Sequence, residues 1–247
     1  YVIPAGRVKA FFREEGIKTK TDAVDAYGLA LMGCSKPQLP EWNPPCPAYM
    51  ELRQLTRLNV HYTNMLTMNT NYLEALSHQF LPSSGVMAQV EESIRHLEEA
   101  IARTEEAIAS LVEKTPEIEE KVRYIESIKG IGFLTAVTIL AETCGFANIS
   151  SRRQLASFAG LDVVARDSGT IMPSRHISKE GNSYLRRILY MCALAASSHN
   201  PQMKNLYVRI SERRPKKVAC VAVMRKLLLL AFTLCKSKQL YDPERVD

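Results

Sequence analysis

Apolar positions recur at helical spacing over most of this chain, and the interruptions mark out its elements. Between Val86 and Glu113, the residues Val90, Ile94, Leu97, Ile101, Thr104, Ile108 and Leu111 alternate steps of four and three. That is an a/d seam with one polar position, flanked by Glu and Arg. It predicts a long helix that pairs with a second copy of the chain, with the preceding helix over about 48–79 as an antiparallel hairpin, or with both. Shorter helical patterns cover about 118–125, 133–142, 152–159, 181–198, 201–213 and 217–236. A further helical segment over 8–34 loops at Gly16 and turns Val24, Leu29 and Leu31 toward a core. Residues 162–178 show no such period and read as a long irregular loop, with Leu161, Val163 and Val164 offering a short strand. Pro37, Pro40, Pro44, Pro45 and Pro47, together with Trp42, rule out continuous helix between 36 and 47. The expected organisation is therefore an N-terminal piece over 1–35, a proline-rich linker over 36–47, a helical hairpin or coiled coil over 48–116, and a helical domain over 117–247.

Charge divides this mainly α chain unevenly. The formal net charge is only +6, but cations concentrate after Arg152, while the stretch from Glu91 to Glu126 is rich in Glu. A basic half beside an acidic helical half points to a domain that binds a polyanion on a scaffold; an ordinary solvated basic face is the plainer alternative. The six cysteines are scattered with no CxxC spacing, which argues against a zinc site and fits a reducing cytoplasm. No stretch reads as a signal peptide, and the apolar run Leu227–Leu234 is too short to cross a bilayer. The chain opens at Tyr1, without Met and inside a helix-like segment, which reads as a fragment with sequence missing upstream.

Three segments have the residue types for chemistry. Ile128–Gly132, IKGIG, lies between two helical patterns in the manner of a helix-hairpin-helix. Gly130 and Gly132 permit a tight turn whose N–H groups can bind a phosphate beside Lys129; a plain glycine turn is the alternative. Asp22 and Asp25 lie three apart and share a helix face, where two carboxylates can hold a hard cation such as Mg²⁺; taken alone, a solvated face explains them more simply. In the segment 159–190, Ser168 and Gly169 are surrounded by Arg166, Arg175, His176, Lys179, Arg186 and Arg187. A serine that attacks phosphorus needs its proton removed and cations to stabilise the developing charge. By spacing alone, a Ser-Gly turn in a basic DNA- or RNA-binding loop is the simpler reading, and Ser174 and Ser178 are rival hydroxyls. Asn182 or Ser183 is placed to cap the next helix.

Together, KTDAVDAYGLA (20–30), IKGIGFLTAVTILAE (128–142), RQLASFAGLD (153–162), the DSG at 167–169 and GNSYLRRILYMCALAA (181–196) resemble the insertion-sequence 110 family of transposases, which includes Piv-type invertases and bridge-RNA-guided recombinases. The resemblance implies that 1–35 ends an RNase H-like, RuvC-like DEDD domain and that the rest is a coiled coil and a helical transposase domain. It implies Asp22 and Asp25 as the last two acids of a Mg²⁺-binding tetrad and Ser168 as the nucleophile that links covalently to a DNA phosphate. The first two acids of that tetrad would lie upstream. Lys129, Gly130, Gly132, Arg166, Arg175, Lys179, Arg186 and Arg187 are the expected nucleic-acid contacts. The implied partners are DNA, a noncoding guide RNA, and further copies of the chain in a dimer or tetramer, with no membrane, in a prokaryotic cytoplasm at the nucleoid. Two other classes stay open: a non-catalytic nucleic-acid-binding accessory protein, and a RuvC-like structure-specific nuclease that makes no serine adduct.

Overall fold

A computed structural model of the chain describes residues 2–3, 5–36, 44–166 and 174–244, and of residues 165, 166, 174 and 175 the backbone alone. Ser168, with the whole of 167–173, lies outside the described residues. The described chain is mainly α-helical and divides into two compact units, Tyr1–Pro45 and Cys46–Asp247.

The first unit holds α1 (Ala5–Glu14) and α2 (Asp22–Ser35). They meet closely at Gly28, where a Cβ would lie 2.5 Å from the Phe12 ring. The face α2 buries is Gly28 and Met32, with Val24 half-buried above them. The 3.6-residue repeat puts 24, 28 and 32 on one stripe. Leu29, expected in the core, is one residue off that stripe and is 47% exposed.

The second unit begins with two long helices, α3 (Pro47–Ser77) and α4 (Ser84–Glu113). Pro47 starts α3 where a missing N–H costs nothing. The two run antiparallel, tied by Asn59 Nδ2 to Glu105 Oε1 at 3.5 Å and Asn69 Nδ2 to Ser93 Oγ at 2.9 Å. In the α4 seam, Leu97, Thr104 and Ile108 are buried and Val90, Ile94, Ile101 and Leu111 half-buried. The chain itself therefore covers much of the seam. Toward the tip the cover ends, and Met68, Tyr72, Phe80 and Leu81 are exposed.

The base of this hairpin is not separate from the domain that follows. Tyr49, Leu52, Ile108 and Val112 belong to the same core as α5 (Pro116–Glu126), α6 (Phe133–Thr143), a 3-10 turn at Cys144–Phe146, α7 (Arg152–Phe158), α8 (Ser183–His199), α9 (Pro201–Ser211) and α10 (Lys216–Ser237). A continuous core thus crosses the expected boundary at 117. At 22 residues, α10 is long and apolar enough to cross a membrane, beyond the short run read from sequence. Half of its apolar window is buried, and Ala219, Val223, Leu227, Leu228 and Ala231 lie fully inside the helical core. Its apolarity is that of a core helix packed on several sides.

Within the stretch expected as an irregular loop, the short strand offered at Val163 and Val164 forms and pairs in a two-stranded ribbon with a second strand that was not expected. Strand β1 (Val163–Arg166) pairs antiparallel with β2 (Ser174–Ile177), in the register Val163↔Ile177, Val164↔His176, Ala165↔Arg175 and Arg166↔Ser174. Four residues at 174–177, polar or basic except Ile177, are too few to show an alternation, so the second strand was not visible in the sequence.

Candidate functional site

The ribbon is rooted by two glycines. After α7 the chain turns at Gly160 (φ +65°) and returns past Gly181, and the backbones cross in near contact. A Cβ on Gly181 would lie 2.5 Å from both the Gly160 N and the Phe158 carbonyl oxygen. Only glycine fits such an approach. Hydrogen bonds close the crossing: the N–H of Lys179 donates to Gly160 O (3.2 Å), that of Asn182 to Phe158 O (2.8 Å) and that of Ser178 to Asp162 O (3.0 Å). The Ser178 hydroxyl donates to Asp162 Oδ1 at 2.5 Å. That rival hydroxyl is therefore engaged at the root. Arg186 also works here: its Nη1 donates to Ala159 O at 2.9 Å, which commits part of its guanidinium to holding the end of α7. Lys179 is exposed, with a left-handed φ of +57°.

Beside the root lies a carboxylate that sequence reasoning missed. Glu142, in the last turn of α6, has a side chain only 1% exposed. Arg57 of α3 grips it with both nitrogens, Nε to Oε1 at 2.7 Å and Nη2 to Oε2 at 2.9 Å. Asn182 donates its amide to Oε2 at 2.6 Å and, with Oδ1, caps α8 by accepting from the Leu185 N–H. Arg53 adds charge at 4.0 Å and donates to the Ala141 and Glu142 carbonyls. Burial opposes ionisation of Glu142, but the Arg57 and Asn182 hydrogen bonds and the two arginine charges outweigh it, holding the carboxyl below its usual range. The Arg57 guanidinium also lies 4.6 Å over the Tyr184 ring. One carboxylate thus ties α3, α6 and the start of α8 together, and the N–H of that same Asn182 is one of the bonds that close the ribbon root. A cleft lined by Val60, His61, Asn64, Ser183, Tyr184 and Arg187 opens between α3 and α8, with Arg187 donating to Asn64 Oδ1.

At the other end of α8 sits the turn between α5 and α6. Ile128 and Ile131 are buried and anchor it. Gly130 has φ +109°, and a Cβ there would lie 2.7 Å from the Ala196 Cβ and 2.8 Å from its Cα. This glycine lets the turn seat against α8. Lys129 is exposed, and its carbonyl accepts from Asn200 Nδ2. Gly132 starts α6 without a side-chain cap, so no side chain occupies the first N–H groups. Ten residues of helix, about 15 Å, separate Arg186 from Ala196. The expected nucleic-acid contacts thus form two groups: Lys179, Arg186 and Arg187 near the root, and Lys129, Gly130 and Gly132 at the turn. The side chains of Arg166 and Arg175 lie outside the description.

Asp22 and Asp25 occupy the first turn of α2, which Thr21 caps with a 3.3 Å bond from the Val24 N–H. Their oxygen donors suit Mg²⁺ chemically. Among the described residues, however, no group of three or more His, Cys, Asp or Glu side chains comes together that could hold a metal. Two carboxylates leave most of an octahedral shell to water.

Comparison with known proteins agrees with these segments. A family model described as the Transposase IS116/IS110/IS902 family matches residues 122–208, which include the α5–α6 turn, the ribbon and α8. A second model, a DEDD transposase of the IS110 type, matches residues 1–82. The chain is 29% identical over 238 residues to the pilin gene-inverting protein of Moraxella bovis, covering 95% of this chain and 72% of that protein. The Moraxella lacunata protein of the same name is equally similar. The transposase for insertion sequence element IS1111A of Coxiella burnetii is 32% identical over 121 residues, covering 47% of this chain and 33% of that one.

Proposed function

This chain belongs to the IS116/IS110/IS902 family of transposases, and from that premise we propose that it exchanges DNA strands with Ser168 as the attacking nucleophile. Membership supports transposition or recombination of DNA as the general activity; the serine, the metal and the guide RNA are our reading.

The observation that carries it is the ribbon. Its last described pair, Arg166 and Ser174, flanks Asp167, Ser168 and Gly169 in sequence, and two glycines and five hydrogen bonds close the root of the ribbon that carries that pair. Catalytic groups gain from such mounting, because misplacement by about 1 Å costs orders of magnitude in rate. In the proposed step the Ser168 Oγ bonds to phosphorus, its proton passes to a base, and the P–O bond to the departing strand breaks. Arg166, Arg175 and Lys179 are the cations assigned to the charge that develops on phosphorus. Asp22 and Asp25 would supply two oxygen ligands to a divalent ion only with further ligands from elsewhere.

The finer fold reading belongs to the same proposal. Residues 1–35 are taken as the end of a RuvC-like domain, α3 and α4 as a coiled coil that brings copies together in a dimer or tetramer, and the α5–α6 turn as a helix-hairpin-helix that binds phosphate through Lys129, Gly130 and Gly132. The partners are DNA and a noncoding guide RNA, in the cytoplasm of a prokaryote.

The test traps the reaction on a nicked suicide DNA substrate and maps the adduct by mass spectrometry. Ser168→Ala is expected to abolish strand exchange while nucleic-acid binding stays nearly intact, and the wild type is expected to carry DNA on Ser168. Normal recombination by Ser168→Ala would overturn the proposal. An adduct on Ser174 would move the nucleophile, and cleavage with no adduct would favour a nuclease.

A further inference from the structure

The turn between α9 and α10 carries Arg209, Arg213, Arg214, Lys216 and Lys217 within nine residues, with Glu212 as the one acid among them. All five cations are exposed. None of their side chains has a hydrogen-bond, ion-pair or ring partner among the described residues, whereas elsewhere in the same unit Arg57, Lys121 and Arg103 are paired with glutamates.

At the start of α10 the arrangement is electrostatically unfavourable. Lys216 and Lys217 are the first two residues of α10, where the helix dipole repels cations, and the first turn holds no acidic residue to compensate. Arg209 and Arg213 are four apart, and the N–H of Arg213 bonds to Ile210 O so that the helical turn continues to it; like charges at that spacing repel. Arg209, in the last turn of α9, does suit the dipole of its own helix; Lys216 and Lys217 have no such offset. Two lysines set against a helix dipole, with no acid to compensate them among the described residues, mark a surface shaped for something outside the fold.

The mounting is rigid. α9 is capped by Asn200, which accepts from the Gln202 and Met203 N–H groups, and is pinned by fully buried Met203. Pro215 fixes the corner, and Ala219 and Cys220 take α10 straight into the core. The cluster also lies outside the residues matched by either family model, which end at 208 and 82.

We infer that the α9–α10 turn is a second nucleic-acid docking surface, which grips the phosphodiester backbone without reading sequence. It is distinct from the ribbon and the α5–α6 turn. It rests on the proposed function only in that the protein handles nucleic acid, and it requires neither the serine nor the metal. Unpaired Arg and Lys fit phosphates and release counterions on contact, so each contact steepens the fall of affinity with salt. Such contacts hold and orient a strand, and base contacts elsewhere would specify it.

The experiment compares the full chain with a variant carrying Arg213→Gln, Arg214→Gln, Lys216→Gln and Lys217→Gln. Affinity for duplex DNA and for structured RNA is measured across a salt series, and thermal melting checks the fold. A second variant, Lys216→Arg with Lys217→Arg, keeps the charge. The expected result for the Gln variant is an unchanged melt and a log–log salt slope shallower by about 3 to 4, since each phosphate contact contributes about 0.9; the Arg variant keeps the wild-type slope. A loss confined to the DNA or to the RNA arm supports the surface and names its occupant. A Gln variant with the wild-type slope on both overturns the inference. Neither result bears on the Ser168 adduct, so this surface and the proposed reaction fail separately.

Discussion

Asp22 and Asp25 sit three residues apart on one helix turn and meet no cation among the described residues. Glu142, alone in an apolar stretch, is buried and gripped by Arg57 and Asn182 from 85 and 40 residues away. The first pair is conspicuous because sequence spacing reveals which side chains share a face. The second is conspicuous only in three dimensions, because its partners come from other helices. The two also differ in what they ask of the protein. With Asp22 exposed and Asp25 half-buried, the pair asks little of the fold, whereas a fully buried carboxylate must be satisfied by the fold and therefore organises it.

The difference can be broken most sharply at Glu142. Glu142→Ala leaves Arg57 and Arg53 facing each other without an anion and removes a hydrogen-bond partner of Asn182. Loss of one member of a buried pair costs about 3–5 kcal/mol. The Arg57 side chain is 43% exposed, so solvent recovers part of this, and we expect about 2–3 kcal/mol by urea denaturation. A loss under about 0.5 kcal/mol would mean that the junction is dispensable.

A smaller effect follows from pH. Because the folded Glu142 carboxyl titrates below its ordinary value, about 4.3, its contribution is present above that value and is lost as pH falls through the lower folded one. Glu142→Gln keeps the shape but cannot ionise. Its stability should fall less than that of the wild type as pH drops below about 4.3. Parallel profiles would show that the carboxylate is not the group being titrated.

The smallest effect on stability is expected at the acidic pair. Asp22→Asn with Asp25→Asn removes only favourable charge at the start of α2, about 0.5 kcal/mol. On the proposed function it also abolishes strand exchange. A loss of stability as large as that of Glu142→Ala would make the pair a structural element and end its comparison with Glu142.

Much of this was legible in advance. The helix limits read from the pattern agree with the structure to within about two residues for α3 to α10, because long amphipathic helices repeat their signal several times and proline or glycine marks their ends. Asn182 was readable as a cap from its place before an apolar run, and it is one. Leu29 misled because neighbouring apolar residues on α2 compete for one stripe, and the winner depends on where α1 leans, here onto Gly28. The α4 seam was readable as a contact surface, but its spacing is the same whether the partner is another copy or α3.

What sequence by itself determined, then, is whatever depends on neighbours along the chain: the helices, their caps and breaks, the glycine turn at Gly130, the basic second half and the motifs that mark the family. Tertiary structure alone decided which distant groups meet. It set Gly130 against Ala196 and Gly181 against Gly160, paired the strand at Val163 with one at Ser174–Ile177, used α10 as a core helix, and surrounded Glu142 with Arg57, Arg53 and Asn182. The physical reason is range. Helix propensity and capping act over three or four residues, so a short window contains them. Close packing and the pairing of buried charge act between surfaces that become neighbours only when the whole core has closed.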